Sequence, residues 1–372
     1  MAKFFAVTSK GFESVLYSEL SEMGTPRVKQ SHMGVTFEGP WKKAYEVVHR
    51  AKSATRVIKP ILDFSAYNKQ DIYSHIKKHD FTKYIPADGT LRVDTQGRSK
   101  IFKDSRTVSL ITKDAIVDQF REKYSVRPSV EKKNPDLPIL IKVSDEKISV
   151  SLDLVGRSLS HRGYREQSTD APIREHIAAG LLLAAEWDPN QEVLMDPMCG
   201  SGTFVIEGAR MCQNKLTHPL SADFAYKKWK TFNAEDVSSL TDGAPLIAKP
   251  DHRFFGYDQS QQAIQAAKVN AAKARIDFIQ WKTKSCLKIM PPTETGLIIT
   301  NPPYGVRLNE TEKLIPFFEN WSQHLKSHFK GWRLGVISAN AEISKAFHMK
   351  ASKKLTFKNG DLDCRFLVYQ IN

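Results

Sequence analysis

The feature that most constrains the fold is a repeated pairing, beyond Pro172, of a short apolar run with a helical stretch. EVLMDPM is followed by TFVIEGARMC, FFGYDQS by QQAIQAAKVNAAKA, and GLIITNPPYG by an apolar helix through Phe317 and Leu325; WRLGVISAN adds another strand. Successive βα units put parallel strands in one sheet with helices on both faces. The chain closes with KKLTFKNGDLDCRFLVYQI, two β-rich runs around an Asn359–Gly360 turn. That pattern predicts a terminal hairpin supplying an antiparallel edge to the sheet.

Upstream the pattern differs. FFAVTS predicts a strand, GFESVLYSELSEMG a helix stopped by Gly24, VTFEG a strand and WKKAYEVVHRAKSA a second helix, which together make a small α/β unit of about sixty residues. From about Phe64 the pattern restarts. DIYSHIKKH is helical, LRVDTQG extended, and SRTVSLITKDAIVDQFREKY a long amphipathic helix with Ser105 as its N-cap. RPSVEKKNPDLP predicts a loop, ILIKVSDEKISVSLDL a hairpin turning at Ser144–Lys147, and the Arg-rich RSLSHRGYREQSTDAP a connector.

Charge separates these halves. Residues 1–165 hold 30 Lys and Arg against 19 Asp and Glu, a surplus of +11, whereas residues 166–372 hold 25 against 22, only +3. A basic half beside a near-neutral one points to a polyanion-binding module joined to a working domain. No apolar run is long enough to span a bilayer, and MAKFFAVTSKGFESV lacks a secretory core, so the expectation is a chain without membrane partners. The four cysteines form no CxxC pair, and the 11 histidines include no HExxH. A reducing cytoplasm is therefore expected, and no metal.

Three strand ends carry the chemistry. In VLMDPMCGSGT an apolar strand runs into Asp196, and Gly200, Ser201 and Gly202 then turn tightly into a helix, so a ligand can lie against the backbone. A dinucleotide-binding GxGxxG is the obvious rival, but Val205 stands where the third glycine would be. Asp258, with Gln259 beside it, ends the next strand, where an acid can accept from both hydroxyls of a ribose. Alone, Asp258 reads equally well as a helix N-cap. The long spacing between these motifs makes residues 211–250 an elaboration. The third strand ends in Asn301, Pro302, Pro303 and Tyr304. Two prolines stop the strand with a stiff backbone that lacks N–H groups, leaving carbonyls presented rather than paired. The Asn301 oxygen and a backbone carbonyl would accept the two hydrogens of a planar amine, with Tyr304 stacked on its ring.

DPMCGSGT, then YD, then NPPYG, in that order, resembles the class I S-adenosylmethionine-dependent methyltransferases that modify base amino groups. The likeness is closest to the large-subunit ribosomal RNA guanine-N2 methyltransferase family of the RlmL type. GFESVLYSEL, HRGYREQSTDAPIREHIAAGLL and FAYKKWK at 224–230 also look like that family, so the resemblance covers essentially the whole chain. It implies an α/β architecture: a ferredoxin-like domain at 1–62, a THUMP RNA-binding domain at 63–158, and a Rossmann-like methyltransferase domain with a terminal antiparallel hairpin at 159–372. It also implies that Asp196, Pro197, Met198, Cys199, Gly200, Ser201, Gly202 and Thr203 line the cofactor's methionine end. Asp258 would hold the ribose, Gln259, Ser285 and Asn301 would also contact the cofactor, and Asn301 to Tyr304 would grip a base of 23S ribosomal RNA or a large-subunit precursor. Two departures stand out. Some family members carry a second methyltransferase, and family members tend to have an acid after the third strand where FIQWKTKSCLKI offers Ser285. A serine hydroxyl accepts a hydrogen bond only neutrally. An N6-adenine nucleic-acid methyltransferase and an inactive RNA-binding relative are the alternatives.

Overall fold

The computed structural model describes every residue except 170–171, 244, 246–249, 251, 304–307 and 361, together with the side chains of 308–313. Its contacts separate into two compact units. The first comprises Met1–Thr8, Glu19–Leu159 and His218–Leu240, and the second Ser9–Ser18, Ser160–Thr217 and Thr241–Asn372.

The chain begins β1 (Ala2–Val7), α1 (Glu13–Glu22), β2 (Lys29–Ser31), β3 (Gly34–Gly39), α2 (Trp41–Arg50) and β4 (Arg56–Ser65). It continues α3 (Lys69–Lys77), β5 (Thr90–Arg98), α4 (Ser105–Tyr124), β6 (Ser129–Val130), β7 (Leu137–Ser144) and β8 (Lys147–Asp153). These strands make one sheet in the order β2-β3-β1-β4-β8-β7-β5-β6. Three local expectations need correction. The restart expected near Phe64 is the end of β4, which pairs antiparallel with both β1 and β8 and so makes the sheet continuous. Pro60 hides this strand, because a residue without an N–H argues against a central position; the register shift between Pro60 and Leu62 absorbs it. Ser105 is the first helical residue of α4, not its cap: Asp104 accepts from the N–H of Arg106 at 2.9 Å. The expected 127–138 loop contains β6, paired in parallel with β5.

The second unit is built on α5 (Glu175–Ala184), β9 (Val193–Asp196) and α6 (Thr203–Cys212). Between α6 and the next strand lies the predicted elaboration, with the one-turn helix α7 (Glu235–Ser238). Its residues 218–240 belong to the first unit. There Tyr226 stacks on Tyr45 of α2 with ring centroids 4.2 Å apart, and the Trp229 indole N–H donates to the Asp136 carbonyl at 2.9 Å. His49 is fully buried, with Nδ1 2.7 Å from the His218 carbonyl and Nε2 2.9 Å from the Tyr226 hydroxyl. The carbonyl can only accept, so Nδ1 carries the proton and Nε2 accepts from the tyrosine. Burial pushes the His49 pKa down to about 4, so the ring is neutral.

The order then runs β10 (Phe254–Asp258), α8 (Gln261–Lys273), β11 (Gln280–Thr283), β12 (Gly296–Thr300) and α9 (Leu308–His328). It ends with β13 (Arg333–Ser338), α10 (Ala341–Ala346), β14 (Ala351–Asn359) and β15 (Leu362–Gln370). The sheet order is β11-β10-β9-β12-β13-β15-β14, parallel through β13 and antiparallel at the terminal hairpin. The last strand to be made is inserted inside the edge. Phe366, Leu367, Val368 and Tyr369 of β15 are all buried, whereas in β14 only Phe357 is, so the more apolar strand takes the inner position. Alternation sorts side chains onto two cores. Leu194, Leu297 and Ile299 join α5 and α6, while Met195 and Ile298 join Trp321 of α9 and Trp332.

Candidate active site

β9, β10 and β12 lie side by side, so Asp196, Asp258 and Thr300 end neighbouring parallel strands at the same edge of the sheet. After β9 the chain turns through Gly200 and Gly202, whose φ values of +52° and +84° strain any residue with a Cβ. Gly202 is also a packing glycine: a Cβ there would stand 2.7 Å from the Trp281 ring and 3.0 Å from Ala267. The loop is tied to β10, for the Cys199 N–H donates to the Tyr257 carbonyl at 2.8 Å and the Gly200 N–H to Asp258 Oδ2 at 2.9 Å.

Asp258 is not the helix cap. Ser260 caps α8 by accepting from Ala263, while Asp258 Oδ1 accepts from the Ser260 N–H at 2.9 Å. One bond to each oxygen leaves lone pairs free, since a carboxylate has about four acceptor sites. Asp196 is buried, and its Oδ1 accepts from the Met198 N–H at 3.1 Å. Burial pushes its pKa up to about 7, reinforced by the charge of Asp258.

These strand ends open on a cavity of about 1110 Å³. Asp196, Pro197, Met198, Cys199, Gly200, Ser201 and Thr203 line it, with Asp258, Gln259, Asn301, Pro302 and Pro303. Two expected residues stand apart from it. Gly202 turns toward Trp281, and Ser285 caps the short turn Cys286–Lys288 by accepting from the Leu287 N–H at 3.4 Å. Its neighbour Cys286 lines the cavity instead. Tyr304 lies outside the described residues. Other walls were not foreseen from sequence: Gln167, Ser168 and Thr169 of the connector, Gln262 and Ala266 of α8, and Leu314 and Phe317 of α9. The apolar spacing in α9 gave a signal for the last two, whereas the polar connector gave none.

Comparisons with known proteins agree on the architecture. Residues 3–58 match the RlmL ferredoxin-like domain, residues 66–153 the THUMP domain, and residues 162–367 the RMKL-like methyltransferase domain. A protein of Syntrophotalea carbinolica named ribosomal RNA large subunit methyltransferase K/L is 35% identical over 99% of this chain and 53% of its own length. Its namesake in Psychromonas ingrahamii is 34% identical, over 100% of this chain and 50% of its own. The chain thus spans about half the length of these relatives. A Synechocystis protein provisionally named an RNA methyltransferase is 33% identical over 99% of this chain and 96% of its own. Among solved structures, one from Clostridium difficile, named a possible methylase, superposes with a TM-score of 0.89 at 27% identity, covering 100% of this chain and 98% of that one. Another, of a protein complexed with SAH, shares the fold at a TM-score of 0.88 and 24% identity, over 100% and 98% of the two chains.

Proposed function

Because this chain belongs to the RMKL-like methyltransferase family, with RlmL ferredoxin-like and THUMP regions ahead of the catalytic part, we propose that it moves a methyl group from S-adenosylmethionine to the exocyclic N2 amine of a guanine in 23S ribosomal RNA or a large-subunit precursor. The observation that carries this reading is the convergence of Asp196, the glycine loop, Asp258 and Asn301–Pro303 on one cavity at the carboxyl ends of parallel strands. Ligands of open α/β sheets sit in that position. The names of the K/L relatives, the THUMP match and the +11 surplus of residues 1–165 support RNA as the acceptor. On this reading the ferredoxin-like domain takes residues 1–62, the THUMP domain 63–158 and the methyltransferase domain 159–372.

The lining suits the cofactor. Burial raises the Asp196 pKa to about 7, so a cationic ligand bound beside it would favour the ionised form. Asp258 keeps acceptor sites for ribose hydroxyls beyond those used by Gly200 and Ser260. Cys286 and Phe317 offer apolar surface to an adenine ring. When bound, the cofactor supplies an activated methyl group on a sulfonium sulfur. The Asn301 side-chain oxygen and the Pro302 carbonyl would accept hydrogen bonds from the two amine hydrogens, localising a lone pair otherwise spread into the guanine ring. As the N–CH3 bond forms and the S–CH3 bond breaks to leave a neutral thioether, the amine releases one of these protons to solvent. Pro302 and Pro303 hold these acceptors stiffly. Tyr304 stacks on the flipped base, whose extrusion costs a few kcal/mol. Orientation of the two reactants supplies roughly 7–11 kcal/mol of barrier lowering in such sites.

The test is transfer of a tritiated methyl group by the full chain to ribosomal RNA, total RNA and DNA from a strain lacking the gene, followed by nucleoside analysis. N2-methylguanosine is the expected product. Label in N6-methyladenosine, or in DNA, overturns the guanine reading, and no label in any nucleic acid from a cofactor-binding protein overturns the enzyme.

A further inference from the structure

Beside the cavity stands one polar side chain whose role is so far unexplained. Asn270, on α8, is 1% exposed. Its Oδ1 accepts from the N–H groups of Glu166 at 2.9 Å and Gln167 at 3.1 Å. Its Nδ2 donates to the carbonyls of Gln167 at 2.9 Å and Ser201 at 3.0 Å. A carboxamide has two donors and two lone pairs, so its capacity is full. Three of the four bonds go to the connector and the fourth to the glycine loop.

The connector is held from both sides of these bonds. Arg165 donates to the Thr203 hydroxyl at 3.0 Å and the Ile173 carbonyl at 2.6 Å, and pairs with Glu175 at 3.2 Å. Lys273, one turn beyond Asn270, pairs with Glu166 at 2.7 Å. The next residues, Gln167, Ser168 and Thr169, line the cavity, and the Thr169 hydroxyl oxygen lies 3.0 Å from where a Cβ on Gly200 would stand. A polar strap of this kind has no apolar face with which to hold itself down, so its place depends on these hydrogen bonds.

We propose that Asn270 is a positioning residue: it latches residues 166–169 as a wall of the cofactor cavity and locks that wall to the Ser201 carbonyl of the glycine loop. Wall and loop then form one preassembled surface, and the cofactor binds without first having to order the strap. The consequence for the cofactor rests on the function proposed above; the latch itself does not.

The test compares full-length Asn270→Asp, Asn270→Ser and Leu325→Ala with the wild type. Asp keeps an acceptor for Glu166 and Gln167 but replaces the donor by an oxygen facing two carbonyls. Ser removes most of the latch and provides a second variant should Asp prevent folding. Leu325, buried on α9 two turns from Phe317, controls for general destabilisation. Two readouts are taken at a temperature where all four proteins are folded: hydrogen exchange at the amides of residues 166–169 without ligand, and calorimetric affinity for S-adenosylhomocysteine. Both Asn270 variants are expected to exchange faster at Glu166 and Gln167 and to bind S-adenosylhomocysteine on the order of 10-fold more weakly, with Leu325→Ala like the wild type in both. Unchanged exchange in the Asn270 variants, or an equal rise in Leu325→Ala, overturns the latch, and faster exchange with affinity within about twofold of wild type overturns its consequence for the cofactor. A wild type that does not bind S-adenosylhomocysteine overturns the cofactor reading instead, and the exchange data still judge the latch.

Discussion

Two residues of the cavity lend themselves to direct measurement. On the proposed reading, Asn301 accepts an amine hydrogen most strongly as the lone pair localises, so Asn301→Ala removes an interaction made chiefly in the transition state. Turnover is expected to fall on the order of 100-fold while cofactor affinity stays near that of wild type, which single-turnover rates and calorimetry separate. Asp196 makes a prediction about pH. Its folded pKa of about 7 lies above the ordinary 3.8, so the folded protein binds the extra proton and Asp196 contributes full stability only below the ordinary value. That contribution is lost as pH rises through about 7. His49 and His176, pushed by burial down to about 4 and about 3, act in the opposite sense below the ordinary histidine value of 6.5. The Asp196 effect is therefore read as a difference. Ligand-free wild type should lose stability relative to Asp196→Asn between pH 4 and 7, by a few kcal/mol in denaturant titrations. A constant difference would mean that Asp196 ionises normally. Position along strand ends was legible for both residues, because a strand followed by Gly or Pro leaves a local pattern. The raised pKa of Asp196 was not legible, because burial is set by residues far away in sequence.

At the level of elements, local chemistry predicted most boundaries and missed where context overrides it. Ser105 and Asp104 are both good capping residues, and only the backbone shows that Asp104 bonds the Arg106 N–H. Asp104→Ala should cost about 0.5–2 kcal/mol in chemical denaturation, whereas Ser105→Ala should be close to neutral. The reverse order would restore Ser105 as the cap. β4 was obscured by Pro60 for the same reason, since a bulge that tolerates proline is a property of the paired strand and not of the run itself. β15 was recognisable as a strand, but its place between β13 and β14 follows from burial on both faces, which needs the neighbouring helices. Ser285 stood out as a substitute for an acid, yet its hydroxyl serves the turn that follows it and the cavity is lined by Cys286.

For the whole molecule, charge is the feature that reaches farthest. The +11 surplus of residues 1–165 predicts that the full chain binds structured RNA through phosphate contacts. Affinity should then fall linearly on a log–log plot against salt, with a slope that steepens with each phosphate neutralised. A flat salt dependence in filter binding would remove the electrostatic module. Sequence by itself determined the α/β class, the order of a basic half and a βα-repeating half, and the three strand-end motifs. Each of these is written in local periodicity, turn chemistry or summed charge, none of which needs a folded partner. Only the tertiary structure decided that residues 218–240, interrupting the second unit in sequence, belong with the first, through Tyr226, His49 and Trp229. It alone made a polar connector into a cavity wall through Asn270. Both depend on hydrogen bonds and ring contacts between residues distant in the chain, and such pairings leave no periodic trace in either partner.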